Sequence, residues 1–293
     1  MRLRRLSSYL LGTVSILAVS LGAKAADWPV SHPTALPAVS AVNGKWELDA
    51  GSINNPSGGV FRGSGSLSLP LGEQFGIQGD VTLGDVAGSF SGGGALHVFT
   101  RDPSRYLLGI TGGVVAVPGA SLWAIGPEAE LYRGRFSFEA WGGYATASYS
   151  APSTSAANSG FFIGDVAYYP NDNWRLALGG SYVLGNSALH IGSEYLFHDG
   201  SMPLSWTLDA RIGSTTTIAT IGIKGYFGGN DANKSLINRQ RQDDPRNKAL
   251  DLFNAVGSLQ NPGTAEDPEQ ACQADGNVWI YNNETQDYEC VAP

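Results

Sequence analysis

The chain has 293 residues, with 39 glycines, only 15% charged side chains and a formal net charge of −8. Soluble domains carry about 25% charged residues, so this composition is out of keeping with an ordinary soluble enzyme and points to a protein with one face in something other than water. The acidic balance opposes a nucleic-acid-binding surface, which needs an excess of Lys and Arg.

The N-terminus reads as a secretory signal. Arg2, Arg4 and Arg5 precede an apolar run from Tyr9 to Ala23, and Ala23-Lys24-Ala25 places small residues where a signal peptidase cuts, between Ala25 and Ala26. The run falls short of the roughly 20 residues that span a bilayer, which argues against a membrane anchor. No cysteine lies near the cut, which argues against a lipoprotein. Cleavage at 1–25 removes Arg2, Arg4, Arg5 and Lys24, so 18 cations become 14 against 26 acids, a mature charge of −12. Residues 26–43 are rich in proline and small residues and read as an extended, Pro-rich linker.

Residues 44–228 read as one long β region. Phe75, Ile77, Val81 and Leu83 alternate with Gln78, Asp80 and Thr82; Trp174, Leu176, Leu178, Tyr182 and Leu184 with Arg175, Ala177, Gly179 and Ser181. Leu189, Ile191, Tyr195 and Phe197 alternate with His190, Gly192 and Glu194; Leu204, Trp206, Leu208, Ala210 and Ile212 with Ser205, Thr207, Asp209 and Arg211. A period of two gives each strand one apolar and one polar face. A soluble sandwich shares that period. The segments, however, run about 9 to 12 residues, the length of a tilted membrane-crossing strand, where soluble strands average about 5 to 6. Aromatics also gather at the strand ends, which suits two interfacial girdles. Phe75, Phe99, Tyr106, Tyr132, Phe136, Tyr168, Tyr169, Trp174, Tyr195, Phe197, Trp206, Tyr226 and Phe227 mark one side. Trp123, Tyr144, Tyr149, Phe161, Phe162 and Tyr182 mark the other.

Twelve strands are expected: 45–52, 61–70, 74–83, 91–99, 105–115, 121–132, 135–147, 159–169, 173–184, 187–197, 203–213 and 216–227. Ten remain if the first two drop out. Turn chemistry at Leu71–Glu73, Asp102-Pro103-Ser104, Arg133-Gly134, Asn171–Asn173 and His198-Asp199-Gly200 supports hairpins. The fold class is therefore all-β, an antiparallel up-and-down transmembrane barrel, with both barrel ends on the periplasmic side of an outer membrane. The last strand ends Ile221-Gly222-Ile223-Lys224-Gly225-Tyr226-Phe227, a terminal-aromatic pattern like the one outer-membrane barrels present to their assembly machinery.

Residues 229–293 change character and read as a small periplasmic tail. Asp243 or Asp244 can cap a helix with Pro245 at its first position and Gly257 at its end, striped by Ala249, Leu252, Phe253 and Val256. Cys272 and Cys290 pair as one disulfide in an oxidising compartment, closing a hairpin around Val278-Trp279-Ile280-Tyr281. Two thiols without nearby histidine are too few for a metal site. A periplasmic contact by the tail, with peptidoglycan or a partner protein, stands beside a plain solvated extension.

The segments Asn43-Gly44-Lys45, Ser66-Leu67-Ser68-Leu69-Pro70-Leu71-Gly72, Arg101-Asp102-Pro103-Ser104-Arg105 and Lys234-Ser235-Leu236-Ile237 to Asp243-Asp244-Pro245 resemble a porin-like family of uncharacterised α-proteobacterial outer-membrane β-barrels. The resemblance covers about residues 40–245 and leaves out the disulfide hairpin. It implies membrane class and outer-membrane location, but no particular solute.

The polar strand faces would line the interior, with Asp80, Glu128, Glu130, Glu139, Asp165, Glu194 and Asp209 beside Arg105, Arg175, Arg211, Lys224 and His190. Such a lining either selects solutes in a narrow porin-like pore for small polar molecules or forms an ion-pair network that closes the lumen of a structural, envelope-integrity barrel. Many of the polar positions are small, which favours the pore; twelve strands lie between filled and open barrels. A lipid hydrolase would need a serine within reach of His97 or His190, and no such pair is identifiable. No nucleophile elbow, phosphate loop or zinc spacing appears. The reading is therefore of a non-enzyme with no catalytic residues, no metal site and no cofactor, whose partners are outer-membrane lipids and the barrel-assembly machinery.

Overall fold

The computed structural model describes residues 36–55, 57–149, 156–198, 202–257, 272, 277–282 and 287–292. The expected signal peptide, the first part of the expected linker and the expected Asp199-Gly200 turn lie outside the described residues. Twelve strands form one closed antiparallel barrel in which each pairs with its sequence neighbours and the last pairs with the first. They are β1 (Asn43–Asn54), β2 (Ser57–Leu71), β3 (Phe75–Val86), β4 (Ser89–Asp102), β5 (Tyr106–Val117) and β6 (Ala120–Arg133). The second half comprises β7 (Phe136–Tyr149), β8 (Ala157–Asn171), β9 (Trp174–Val183), β10 (Asn186–His198), β11 (Leu204–Gly213) and β12 (Thr217–Gly228). The barrel closes where Lys45 of β1 faces Tyr226 of β12 and Ile53 faces Ile218. Closure leaves no strand edge, which is what an apolar solvent demands of a sheet.

Alternation decides which side chains face out. Leu108, Ile110, Leu178, Leu208 and Ile221 are each more than half exposed, while their neighbours turn inward. A protein that left this belt in water would forgo the main driving force of folding; hydrocarbon removes the cost. The aromatic girdles are thinner than the sequence suggests. Phe75, Phe136, Tyr168, Trp174, Tyr195, Phe197, Trp206 and Phe227 face out at one end, and Trp123, Tyr144, Phe162 and Tyr182 at the other. Phe99, Tyr132, Tyr169, Tyr226 and Phe161 are buried. Period two puts Tyr168 and Tyr169, or Tyr226 and Phe227, on opposite faces, so half of each aromatic pair turns into the barrel.

The β3–β4 and β9–β10 turns are two-residue hairpins with both central residues at positive φ: Ala87 (51°) with Gly88 (82°), and Leu184 (47°) with Gly185 (85°). That is the mirror-image turn whose twist suits a right-handed hairpin, and it asks for Asn or Gly at its first position. Ala87→Asn is expected to raise the unfolding temperature in detergent, through a gain of up to about 1 kcal/mol from relieved left-handed strain. An unchanged or lower midpoint would show that Ala87's apolar contact matters more.

The region after β12 departs most from expectation. Two helices appear where one was expected: α1 (Leu236–Gln242) and α2 (Lys248–Gly257). Asn247 caps α2 by accepting from the Leu250 N–H at 2.7 Å, so that helix begins beyond Pro245. The segment does not trail away from the barrel. α1 sits at the end that holds Asn43 and Gly228, with the Ile237 N–H donating to the Asp172 carbonyl at 3.0 Å and Arg241 donating to the Phe136 carbonyl at 2.7 Å. α2 lies inside the barrel. Its Leu252, Phe253 and Ala255 join an apolar cluster with Ile53, Val60, Val86, Val115, Val183 and Ile218, all close to the opposite end. Residues 229–257 thus dock on and inside the barrel and form a plug, where a trailing tail was expected. The linker's last residues also pack: Ala38 and Val39 are fully buried, and Val39 contacts Phe99 and Leu107.

Strands β13 (Val278–Asn282) and β14 (Asp287–Val291) form the separate hairpin. The Cys272–Cys290 disulfide joins the segment before it to its second strand.

Candidate functional site: the plugged lumen

Three layers hold the plug. At the mouth, aromatic side chains clamp α1. The Arg241 guanidinium lies 5.1 Å from the Tyr132 ring centre and 5.6 Å from that of Tyr169, and Arg239 lies 5.1 Å from the Tyr226 ring. These contacts draw on the ring quadrupole, which attracts a cation over its face. Tyr169 donates to Gln240 Oε1 at 2.6 Å, and Gln240 donates to Glu194 at 3.0 Å. The N-terminal strap closes over the same helix, with the Ser40 N–H donating to Asp243 at 2.9 Å.

The middle layer is charged. Lys45 pairs with Asp244 at 2.6 Å and donates to the Pro245 carbonyl. Arg246 is the centre: its guanidinium pairs with Asp165, with Asp251 at 2.5 Å and with Glu139 at 3.5 Å. Glu139 also pairs with Arg175 at 2.9 Å, and Arg211 with Asp251 at 3.1 Å. The backbone N–H of Lys248 donates to Asp80 at 2.7 Å. Gly179 faces Asp165 across the β8–β9 pairing. A Cβ there would lie 1.9 Å from Asp165 Oδ1, so glycine is what lets that carboxylate lie against the wall and meet Arg246.

The inner layer joins polar and apolar contacts. Arg62 pairs with Asp49 at 2.7 Å and donates to Thr220 at 2.9 Å and to Asn254 of α2. Around it α2 buries Leu252 and Phe253 in the apolar cluster, whose wall includes Trp141 stacked edge-on against Phe161 at 4.9 Å.

The residues expected to line the interior can now be placed. Asp80, Glu128, Glu130, Glu139, Asp165, Arg175, His190, Glu194 and Arg211 are buried on the inward face. Asp209 and Lys224 also point inward, partly exposed to the remaining space. Arg105 is a correction. It sits in the β4–β5 turn with a side chain 78% exposed, next to Asp102 at 3.6 Å. The strand starts one residue later than expected, at Tyr106, so Arg105 falls out of the alternation that would have turned it inward. The sequence reading missed Lys45, Asp49 and Arg62, which lie in Gly- and Ser-rich stretches where the apolar half of the alternation is faint. It also missed Arg246, Lys248 and Asp251. Their signal was present as an amphipathic helix whose polar side carries charges of both signs, a face that can meet a charged wall as well as water.

His97 and His190 each lie between carboxylates. His97 has Nε2 2.6 Å from Asp80 and Nδ1 3.1 Å from Glu128. His190 has Nδ1 2.5 Å from Asp165 and Nε2 2.7 Å from Asp209. Each ring nitrogen faces a carboxylate, and in this arrangement none is presented to a serine hydroxyl. The lumen retains a cavity of about 100 Å³ lined by Lys45, Arg175, His190, Glu194, Lys224 and Arg246 among others. It has room for a few waters.

No protein-family model matches this sequence, and no curated protein matches it. Solved structures do. A KdgM porin in complex with disordered oligogalacturonate aligns over 62% of this chain and 98% of its own, at 9% identity and TM-score 0.43. An outer membrane channel from Pseudomonas putida F1 aligns over 68% and 99%, at 12% identity and TM-score 0.44. Outer membrane phospholipase A from Escherichia coli aligns over 69% and 95%, at 12% identity and TM-score 0.40. At such identities nothing about solute or reaction passes from them to this chain.

Proposed function

We propose that this protein is a porin-like channel of the outer membrane for small polar solutes, held closed by its own C-terminal segment. One observation carries the reading: the obstruction is not the wall but residues 234–257, attached to it by ion pairs and hydrogen bonds that can be made and broken without disturbing the strand ladder. A barrel filled permanently by wall side chains would need no such segment. The wall behind the middle of the plug is polar and charged, the lining that passes hydrated solutes. The apolar belt fits outer-membrane lipid, and the closing strand ending at exposed Phe227 suits recognition by the barrel-assembly machinery. The N-terminal end of the barrel then faces the periplasm.

The density of buried ion pairs favours a second reading, a permanently closed barrel with a structural role in the envelope. Conductance of the purified full chain in planar bilayers separates the two. The channel reading expects long silent intervals broken by discrete steps of one size. Silence at every voltage, both in the native chain and in a variant whose plug no longer docks, would leave the structural reading in place.

A further inference from the structure

We infer that the disulfide hairpin of β13 and β14 is displayed on the face of the membrane opposite the barrel end that holds Asn43 and Gly228; the inference rests on the membrane-barrel reading, not on conduction. The polypeptide crosses the lumen once. Gly228 ends β12 beside Asn43. α1 is fixed at that same end by Asp172 and Phe136, next to the turns β6–β7 and β8–β9. Residues 244–248 meet the middle of the wall at Lys45, Asp165 and Asp80. Leu252 and Phe253 pack against Ile53, Val86 and Val183, the last residues before the opposite turns, and Ala87 and Leu184 of those turns lie against the same cluster.

The direction of α2 therefore points out through the far end. Two routes could bring β13 and β14 back to the Asn43 end. The lumen route is filled by residues 243–255 and their partners. The outside route crosses the belt of Leu, Ile and Val that faces hydrocarbon, where a polar chain with unpaired backbone groups does not go. Lys248 is the last cationic residue of the chain, and after Asp251 every further charge is a carboxylate. The displayed segment is thus an anionic module closed by one disulfide, presented to whatever lies beyond the membrane. The barrel's termini then lie on opposite sides of the membrane, although β1 and β12 start and end together.

The test places one epitope tag at each of three sites of the full chain, in separate strains of a Gram-negative host: after Pro293, in the β7–β8 connection, and just after the signal peptide. Antibody is added to intact and to permeabilised cells. The C-terminal tag is expected to bind in intact cells as the β7–β8 tag does, while the N-terminal tag binds only after permeabilisation. A C-terminal tag that behaves like the N-terminal one overturns the inference while leaving the barrel reading intact. Three tags with one shared accessibility would instead overturn the membrane-spanning reading itself. If a tag impairs insertion, broad-specificity protease on intact cells carrying the native chain gives the second measurement. Release of peptides containing Val278–Asn282 is expected, and their release only after permeabilisation counts against display.

Discussion

Replacing Arg246 with glutamate is expected to turn a mostly silent protein into a conducting one. Arg246 is the one plug side chain that touches carboxylates on β7 and β8 and on α2 together, through Glu139, Asp165 and Asp251. Removing one partner of a buried ion pair costs about 3–5 kcal/mol, because the others are left uncompensated. Reversing the charge adds repulsion at Asp165, whose other carboxylate oxygen is held by His190 Nδ1 at 2.5 Å. At 1.4 kcal/mol per factor of ten, the docked-to-undocked ratio should fall by roughly two to three powers of ten. The barrel itself should survive, since its closure rests on twelve ladders that Arg246 does not enter. The checks are single-channel recording and amide exchange of α2. Discrete steps should become frequent and the α2 amides should lose protection, while the strand amides keep theirs. Arg246→Lys keeps the charge but not the fork that spans several carboxylates, so it should open less often than the glutamate variant. A glutamate variant as silent as the native chain, with α2 still protected, would mean that the aromatic clamp and apolar cluster hold the plug unaided.

Why the barrel was legible and the plug was not follows from the kind of signal each leaves. A strand with one face in hydrocarbon and one in the lumen must alternate, so Leu204 to Ile212 or Trp174 to Leu184 announce themselves, and twelve such segments with hairpin chemistry between them yield the barrel. The structure extends most strands by a few residues past the expected ends, because pairing continues where the apolar pattern has stopped, as at Gly58 and Gly59 of β2. The plug leaves no such trace. Ala249, Leu252 and Phe253 form a stripe that suits any amphipathic helix, and whether it docks in a lumen or on a surface depends on residues some two hundred positions away, Ile53 and Val60 among them. α1 was invisible for another reason. Five of its seven residues are polar or cationic, and three of them, Arg239, Gln240 and Arg241, meet Tyr132, Tyr169 and Tyr226, which turn inward. Those tyrosines looked like members of an outer girdle, since composition at a strand end does not reveal which of two adjacent aromatics faces lipid.

With the plug displaced, the open lumen is expected to prefer cations. On the wall, the buried carboxylates Asp49, Asp80, Glu128, Glu130, Glu139, Asp165 and Glu194 outnumber the buried cations Lys45, Arg62, Arg101, Arg175 and Arg211. The plug offsets this difference. From Lys234 to Asp251 it brings Lys234, Arg239, Arg241, Arg246 and Lys248 against Asp243, Asp244 and Asp251. Its departure therefore removes more positive than negative charge and leaves Asp80 and Asp165 without their plug partners. A unit charge 4 Å from a passing ion is worth about 1 kcal/mol in water, a roughly fivefold bias at 1.4 kcal/mol per factor of ten. Reversal potentials measured across a salt gradient in the Arg246→Glu background should lie on the cation side. The same sign should appear in Leu252→Asp, which frees the plug from its other end by burying a carboxylate in the apolar cluster. Adding Asp165→Asn and Glu139→Gln should move the potential toward zero in steps. A reversal potential on the anion side would overturn the expected sign. One near zero in both opened variants would mean that the carboxylates stay paired with Arg175, Arg62 and the histidines. The wall would then select by width rather than by charge.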